Sequence, residues 1–236
     1  MNHSKRFLNL TKSLGEKKQF SLTEAVAKVK ECANTKFDET LDLAIRLGID
    51  PKKQDQMVKG TVTLPFGTGK PIRVLVLTKG EKEKEAKETG ADYVGFEDYI
   101  EKIKTGWLDF DVVVATPDAM PEVGKLGKIL GTRGLMPSPK TGTVTFEIGP
   151  AVKSLKAGKI QFKVDKTANI HVIVGKASFE PNRIEKNALA VITEVLKVKP
   201  ATAKGQYLRS VTLSSTMGPA LKLDIKELTE LVGKEG

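Results

Sequence analysis

The chain has 236 residues, 39% of them apolar and 29% charged, and carries a formal net charge of +10 at pH 7 with a pI near 9.5. That is the composition of a folded soluble protein, and no apolar run approaches the roughly 20 residues of a membrane helix. The single cysteine, Cys32, excludes an internal disulfide framework and a multi-cysteine metal site, while the cationic excess points to a polyanionic partner, most often nucleic acid.

The opening residues, MNHSKRFLNLTKSLGEKK, have no apolar stretch of the kind a secretory signal needs, so a reducing cytoplasm is the expected home. His3 falls in this segment, expected to be a mobile tail. Ser21-Leu-Thr-Glu24 is a capping box, and Leu22, Ala25, Val26, Val29 and Ala33 follow at helical spacing. Leu41, Leu43, Ile45, Leu47 and Ile49 alternate with Asp42, Ala44, Arg46 and Gly48, which predicts a strand with one buried face. Val58, Val62 and Leu64 alternate in the same way with Lys59, Thr61 and Thr63.

After LPFGTGKP (64–71) the pattern changes. IRVLVL (72–77) is a continuous apolar run, as in a strand covered on both faces. A polar helix is expected over 81–88, ended by Gly90, then a strand at DYVGF and a helix from about Asp98 to Lys104. FDVVVATPDAM reads as a buried strand with a helix cap at Asp118. Alternating strands and helices predict a small parallel sheet with helices on both faces. Beyond SLKAGK (154–159) half-buried strands return at KIQFKVD and NIHVIVG. A long amphipathic helix follows from Pro181 to Val198, then strands at YLRSVTLSST and ALKLDI.

The expected fold is therefore a discontinuous α+β domain, residues 1–66 plus 159–236, with an α/β domain, residues 67–158, inserted in it. Two crossings rich in Gly and Lys would join them as a hinge. Residues 67–158 hold 14 of the 39 Lys and Arg and 13 of the 29 Asp and Glu, a net of +1, so the discontinuous domain carries +9. If the partner is nucleic acid, that domain is the expected binder.

Enzyme chemistry finds little purchase. GTGKP (67–71) fails as a P-loop: Leu64 stands where the first glycine belongs, and Pro71 replaces the Ser or Thr that serves Mg²⁺. TKGEKEKE, after the first strand of the inserted domain, lacks a dinucleotide fingerprint and is highly charged. Cys32 falls near an apolar stripe, and His171 sits in a strand with no evident catalytic partner, as a structural or RNA-facing imidazole. Glu39/Asp42 and Glu97/Asp98 read as surface charges, and no grouping has metal-ligand spacing.

Three groups carry binding chemistry. KLGKILGTRGLMPSPKTGTV (125–144) offers Lys125, Lys128, Arg133 and Lys140 among glycines, with no acid. It reads as a loop that meets a polyphosphate surface or packs near the hinge. TKFDET (35–40) sets Phe37 beside Lys36, to stack on a base or ribose or to cap the core. In RSVTLSSTMGPALK (209–222), Ser210, Thr212, Ser214 and Thr216 line one strand face before a Met217-Gly218-Pro219 turn. The hydroxyls can bond ribose or water, and the glycine permits close approach.

Taken together, KFDET, LGIDPKK, KGTVTLPFGTGK, KGEKEKEAKETGADYVG, GWLDFDVVVATPD, KLGKILGTRGLMPSPKTGTV, DKTANIH and LRSVTLSSTMGP resemble the bacterial-type ribosomal protein L-one family over roughly residues 5–225. The family forms the mobile stalk beside the exit (E) site of the large ribosomal subunit. The resemblance implies a discontinuous domain hinged to a Rossmann-like insert, monomeric when free, with no enzyme activity, cofactor or membrane. It implies binding to a folded junction of large-subunit rRNA in the cytoplasm, a part in moving and releasing deacylated tRNA, and repression of its own operon mRNA. The main RNA contact is carried over to Phe37, Thr216, Met217 and Gly218, with Lys36, Thr40 and Ser210 nearby. Lys125, Lys128, Arg133 and Lys140 form a secondary RNA or interdomain contact. Phe66, Lys59 and Ser138 depart from the expected His, Arg and Asn, and the tail after about Lys226 lies outside the resemblance and is expected to be flexible. The rivals are an enzyme that holds a nucleotide in the inserted domain and a general DNA binder.

Overall fold

In chain order the helices and strands are α1 (Lys5–Ser13), α2 (Leu22–Cys32), β1 (Thr40–Leu47), β2 (Lys59–Thr63), β3 (Val74–Leu77), α3 (Lys82–Glu88), β4 (Tyr93–Gly95), α4 (Glu97–Lys104), β5 (Val112–Ala115), α5 (Met120–Lys125), α6 (Gly127–Thr132), α7 (Ile148–Lys156), β6 (Lys159–Lys163), β7 (Asn169–Lys176), α8 (Pro181–Lys197), β8 (Leu208–Ser215), β9 (Leu221–Lys222) and α9 (Ile225–Glu235). The structure is a computed structural model that describes residues 4–15, 18–79 and 82–235, apart from the side chains of Gln54, Lys140, Lys234 and Glu235. His3 and part of the TKGEKEKE turn lie outside the described residues. The chain divides into two compact units, Met1–Gly69 with Ile160–Gly236, and Lys70–Lys159.

The first unit is built on an antiparallel sheet of order β7-β1-β8-β9, with β2 and β6 forming a separate pair. Leu41, Leu43, Ile45 and Leu47 of β1 point inward with Ile170, Val172 and Val174 of β7 and Val211 and Leu213 of β8. The period of two is thus the signature of a sheet packed on one face only. That face is covered by α2 and α8. Ser21 accepts from the Glu24 N–H at 3.3 Å to start α2, and Pro181 occupies the first turn of α8. Ile184, Ala188, Val191, Ile192 and Val195 form the buried stripe of α8.

The C-terminal segment is not a flexible tail. It forms α9, whose Leu228 is buried in the same core and whose Ile225, Leu231 and Val232 pack against it. Its apolar residues recur three and four apart, a helical spacing that gives the chain end a face to bury.

Asn187 of α8 is completely buried. Its Oδ1 accepts from the Phe66 N–H at 3.2 Å, and its Nδ2 donates to Gly67 O at 3.0 Å and Val174 O at 2.8 Å. One amide therefore ties β7 to the LPFGTGKP segment. Gly67 and Gly69 there have φ of +66° and +76°, so glycine serves backbone conformation in GTGKP rather than a phosphate cradle.

The second unit holds a three-stranded sheet of order β4-β3-β5, parallel throughout. Val74 to Leu77 are all buried because the sheet is covered on both sides. Leu75 and Leu77 join Ile100 and Ile103 of α4, Val123 of α5 and Leu130 of α6. Val74 and Val76 join Ala86 of α3 and Ile148, Val152 and Leu155 of α7. Asp118 does not cap a helix. It lies within a 3₁₀ turn, Pro117–Ala119, preceded by Thr116. The expected loop over 125–144 is largely helical at its start, because Val123, Leu126 and Leu130 bury one side of α5 and α6.

Replacing Asn187 with Leu keeps the side-chain volume but leaves three backbone groups without partners. It should cost about 3 kcal/mol in a urea denaturation measurement, more than an ordinary surface change. In the turn between β6 and β7, Asp165 accepts from the N–H groups of Asn169 (2.7 Å) and Thr167 (2.8 Å) and from the Thr167 hydroxyl (2.7 Å). The Asn169 N–H and the Thr167 hydroxyl lead in lowering its pKa to about 2. The turn should be fully supported above about pH 4, the ordinary range of an aspartate, and lose that support as the pH falls through about 2. A carboxyl NMR titration that placed Asp165 near its ordinary value would contradict this.

Candidate nucleic-acid interface

β1 lies between β7 and β8 and runs antiparallel to both, so its start meets their ends. Thr40 is in register with Lys176, and Leu41 with Ser215. This brings TKFDET and the Thr-Met-Gly turn together at one end of the sheet. The Thr216 N–H donates to Thr40 O at 3.0 Å, and the Thr40 N–H donates to Thr216 Oγ1 at 3.1 Å. The Thr216 hydroxyl in turn donates to Thr40 O at 3.2 Å.

Around this junction Phe37 and Met217 stand 53% and 51% exposed, large apolar side chains in water beside the exposed Lys36. Phe37 is thus a surface group and does not cap the core. Lys176 Nζ donates to Thr40 Oγ1 at 2.8 Å. Arg6 of α1 donates to Asn34 Oδ1 at 2.8 Å and to the carbonyl of Met217. Ser210 lies elsewhere. It pairs with Arg46 at the other end of β8, six residues from Thr216, or about 20 Å along an extended strand.

The turn rests on a buried acid. Glu39 is 1% exposed and accepts from the Met217 N–H through Oε2 at 2.9 Å, so it is not the surface charge the sequence suggested. Burial pushes its carboxyl up, but the Met217 N–H, the Ser215 hydroxyl and Thr35 together hold the pKa below the ordinary value. No hydrogen bond of regular geometry reaches Glu39 Oε1 or the Ser215 hydroxyl, although the two are close enough for the hydroxyl to help hold the charge. Ser215 also explains Gly218. A Cβ at Gly218 would collide with Ser215 Oγ. The glycine is needed for space, since its φ lies outside the left-handed region.

Sequence reasoning passed over Glu39, Ser215, Lys176 and Arg6. A signal existed for the first two. The inward row Leu41, Leu43, Ile45, Leu47 extended back by two lands on Glu39, and Val211, Leu213 extended forward lands on Ser215. Lys176 and Arg6 carried none, because their place depends on strand register and on where α1 docks.

The second cation group belongs to the other unit. Lys125 ends α5 and is paired with Glu122 at 2.8 Å, which lowers the Glu122 pKa. Lys128 and Arg133 are exposed on and after α6. The backbone of Lys140 lies in a 3₁₀ turn, and its side chain is outside the described atoms. Gly124, Gly127 and Gly131 face open space.

The Cys32 thiol is buried, and burial, then Glu31 and Glu39, push its pKa up, away from the reactive thiolate. Among the described residues no group of three or more His, Cys, Asp or Glu could hold a metal ion, and no helix is long and apolar enough to cross a membrane. His171 is exposed on β7, opposite Ala44.

Cations, hydroxyls and exposed apolar side chains thus gather at one end of the sheet. Residues 29–219 match the ribosomal protein L1p/L10e family. The chain is 53% identical to large ribosomal subunit protein uL1 of Protochlamydia amoebophila, over 98% of each chain. It is 55% identical to large ribosomal subunit protein uL1 of Chlorobaculum tepidum, over 93% of this chain and 95% of that one. The chain belongs to the ribosomal protein L1p/L10e family, and is a ribosomal protein rather than an enzyme.

Gly218→Ala should destabilise the protein by about 1–3 kcal/mol through overpacking against Ser215, and Ser215→Ala in the same chain should recover most of that loss. Chemical denaturation of the single and double variants checks it. Additive losses would show that the collision is not the reason for the glycine.

Proposed function

We propose that this chain, in the large ribosomal subunit in the cytoplasm, binds the stalk junction of large-subunit rRNA through Lys36, Phe37, Thr40, Thr216, Met217 and Gly218. One observation carries the reading. Two segments more than 170 residues apart converge on one edge and expose Phe37 and Met217 around a hydroxyl–backbone lock between Thr40 and Thr216. Lys36 neutralises phosphate, Phe37 and Met217 pack on ribose or base, and Thr216 meets a sugar. Ser210, at the far end of β8, serves a separate RNA contact.

The protein acts as a monomer when free. Its two units, a discontinuous α+β domain and a Rossmann-like insert, are joined by a two-stranded hinge at the crossings near residues 69–70 and 159–160. On the ribosome it helps move and release deacylated tRNA from the E site. Off the ribosome it represses translation of its own operon mRNA through a site that offers the same RNA shape. Lys125, Lys128, Arg133 and Lys140 supply a secondary RNA or interdomain contact. Their unit is nearly neutral, which supports a subordinate role.

Titrating the full chain with a stalk-type rRNA fragment and with an RNA duplex of equal charge, at several salt concentrations, tests the core of this reading. The fragment should be preferred, and the preference should persist as salt weakens both. Equal binding that collapses with salt would leave only non-specific attraction.

Thr216 allows a sharper expectation. Its hydroxyl has one proton and two lone pairs. The proton goes to Thr40 O and one lone pair receives the Thr40 N–H. What remains is an acceptor, so a ribose 2′-OH must donate to it. A 2′-O-methyl or 2′-fluoro group at that ribose should weaken binding about as much as 2′-deoxy, roughly tenfold. Full affinity for the 2′-fluoro RNA would overturn the assignment.

A further inference from the structure

We propose that Glu39 and Arg6 are positioning residues for the Thr216–Gly218 turn, holding the two backbone polar groups of Met217 between an anion and a cation. This rests on the RNA-binding reading above and explains how its surface is kept in shape. Glu39 takes the Met217 N–H at 2.9 Å, and Arg6 donates to the Met217 carbonyl. Arg6 is itself steadied by Asn34 Oδ1 at 2.8 Å, just beyond the end of α2. Both backbone groups of Met217 are thereby committed within the protein. The exposed Met217 side chain and the free lone pair of Thr216 are what the turn can offer a ligand.

The charges themselves argue for this role. A carboxylate beside a surface that receives phosphate opposes binding, and burying it carries a desolvation penalty. Glu39 is nevertheless buried at the base of that surface. A charged acceptor forms a stronger hydrogen bond to an N–H than a neutral one, which suits a short turn just past the end of a strand ladder. β8 ends at Ser215, just before the turn. Arg6 comes from α1, which buries no residue of its own, so the helix brings a guanidinium to the turn without adding to the core. A turn fixed before binding loses less freedom when RNA arrives.

The test uses the full-length protein and the stalk-type rRNA fragment, with Glu39→Leu, Glu39→Gln and Arg6→Ala. Simple electrostatics predicts that removing Glu39's charge tightens RNA binding. Positioning predicts that Glu39→Leu weakens it by about tenfold or more, with Glu39→Gln, which keeps an acceptor oxygen, recovering much of the loss. Arg6→Ala should weaken binding without changing the slope of log affinity against log salt, whereas a lost phosphate contact lowers that slope by about 0.9. Without RNA, amide exchange should quicken at Met217 in Glu39→Leu and at Gly218 in Arg6→Ala.

Folded Glu39→Leu that binds as well as or better than the parent would overturn the proposal. So would Glu39→Gln no better than Glu39→Leu, or an Arg6→Ala loss that comes with the reduced salt slope. If Glu39→Leu does not fold, Arg6→Ala carries the test, because its site lies on a helix outside the core. Should the parent protein show no preference for the stalk fragment, the RNA reading fails. The exchange rates then decide the clamp separately, and unchanged exchange would reject it.

Discussion

β1 runs between β7 and β8, and its register with them determines what can meet at the end of the sheet. Because both pairings are antiparallel, the first residue of β1 stands beside the last residues of the other two strands, which is why Thr40 has Lys176 on one side and the Ser215–Thr216 step on the other. Side chains alternate along each strand, so a slip of one residue would turn Leu41, Leu43, Ile45 and Leu47 to water and Thr40 inward. The buried row therefore protects the register, and the register holds the Thr40–Thr216 lock. Packing of the core and presentation of the surface are one constraint.

The two units use their charge differently. The inserted segment is close to neutral, and its sheet is buried on both faces. The remainder carries nearly all the positive excess, and its main sheet has one open face. On the proposed RNA reading, long-range attraction of a polyanion falls to the basic unit, and short-range selection falls to the hydroxyl and apolar groups at the sheet end. Within that end, Glu39 shows that the local charge balance is not simply basic. A single buried anion is retained where backbone N–H groups need an acceptor.

The comparison of KLGKILGTRGLMPSPKTGTV with its structure shows how composition misleads. Glycine and cations suggested a loop, yet Leu126 and Leu130 outweigh the low helix propensity of Gly127 and Gly131, and the stretch opens with the end of α5 and the short helix α6. The C-terminal segment differs: its Glu, Leu and Lys residues favour a helix locally, and burial of Leu228 adds to that preference.

Residue order alone disclosed the broad design. Period-two rows marked β1, β7 and β8, the unbroken VLVL marked a strand covered on both faces, and the SLTE box and Pro181 marked the starts of α2 and α8. The quoted motifs pointed to the family. These features are legible because they depend on local sterics and on the spacing of apolar side chains. Which residues meet across the sheet was not legible. That Thr40 locks to Thr216, that Ser210 sits a strand length away, that Gly218 must clear Ser215, and that Arg6 reaches the Met217 carbonyl all depend on strand register and helix docking. Those are set by burial summed over the whole unit, and no short stretch of residues encodes them.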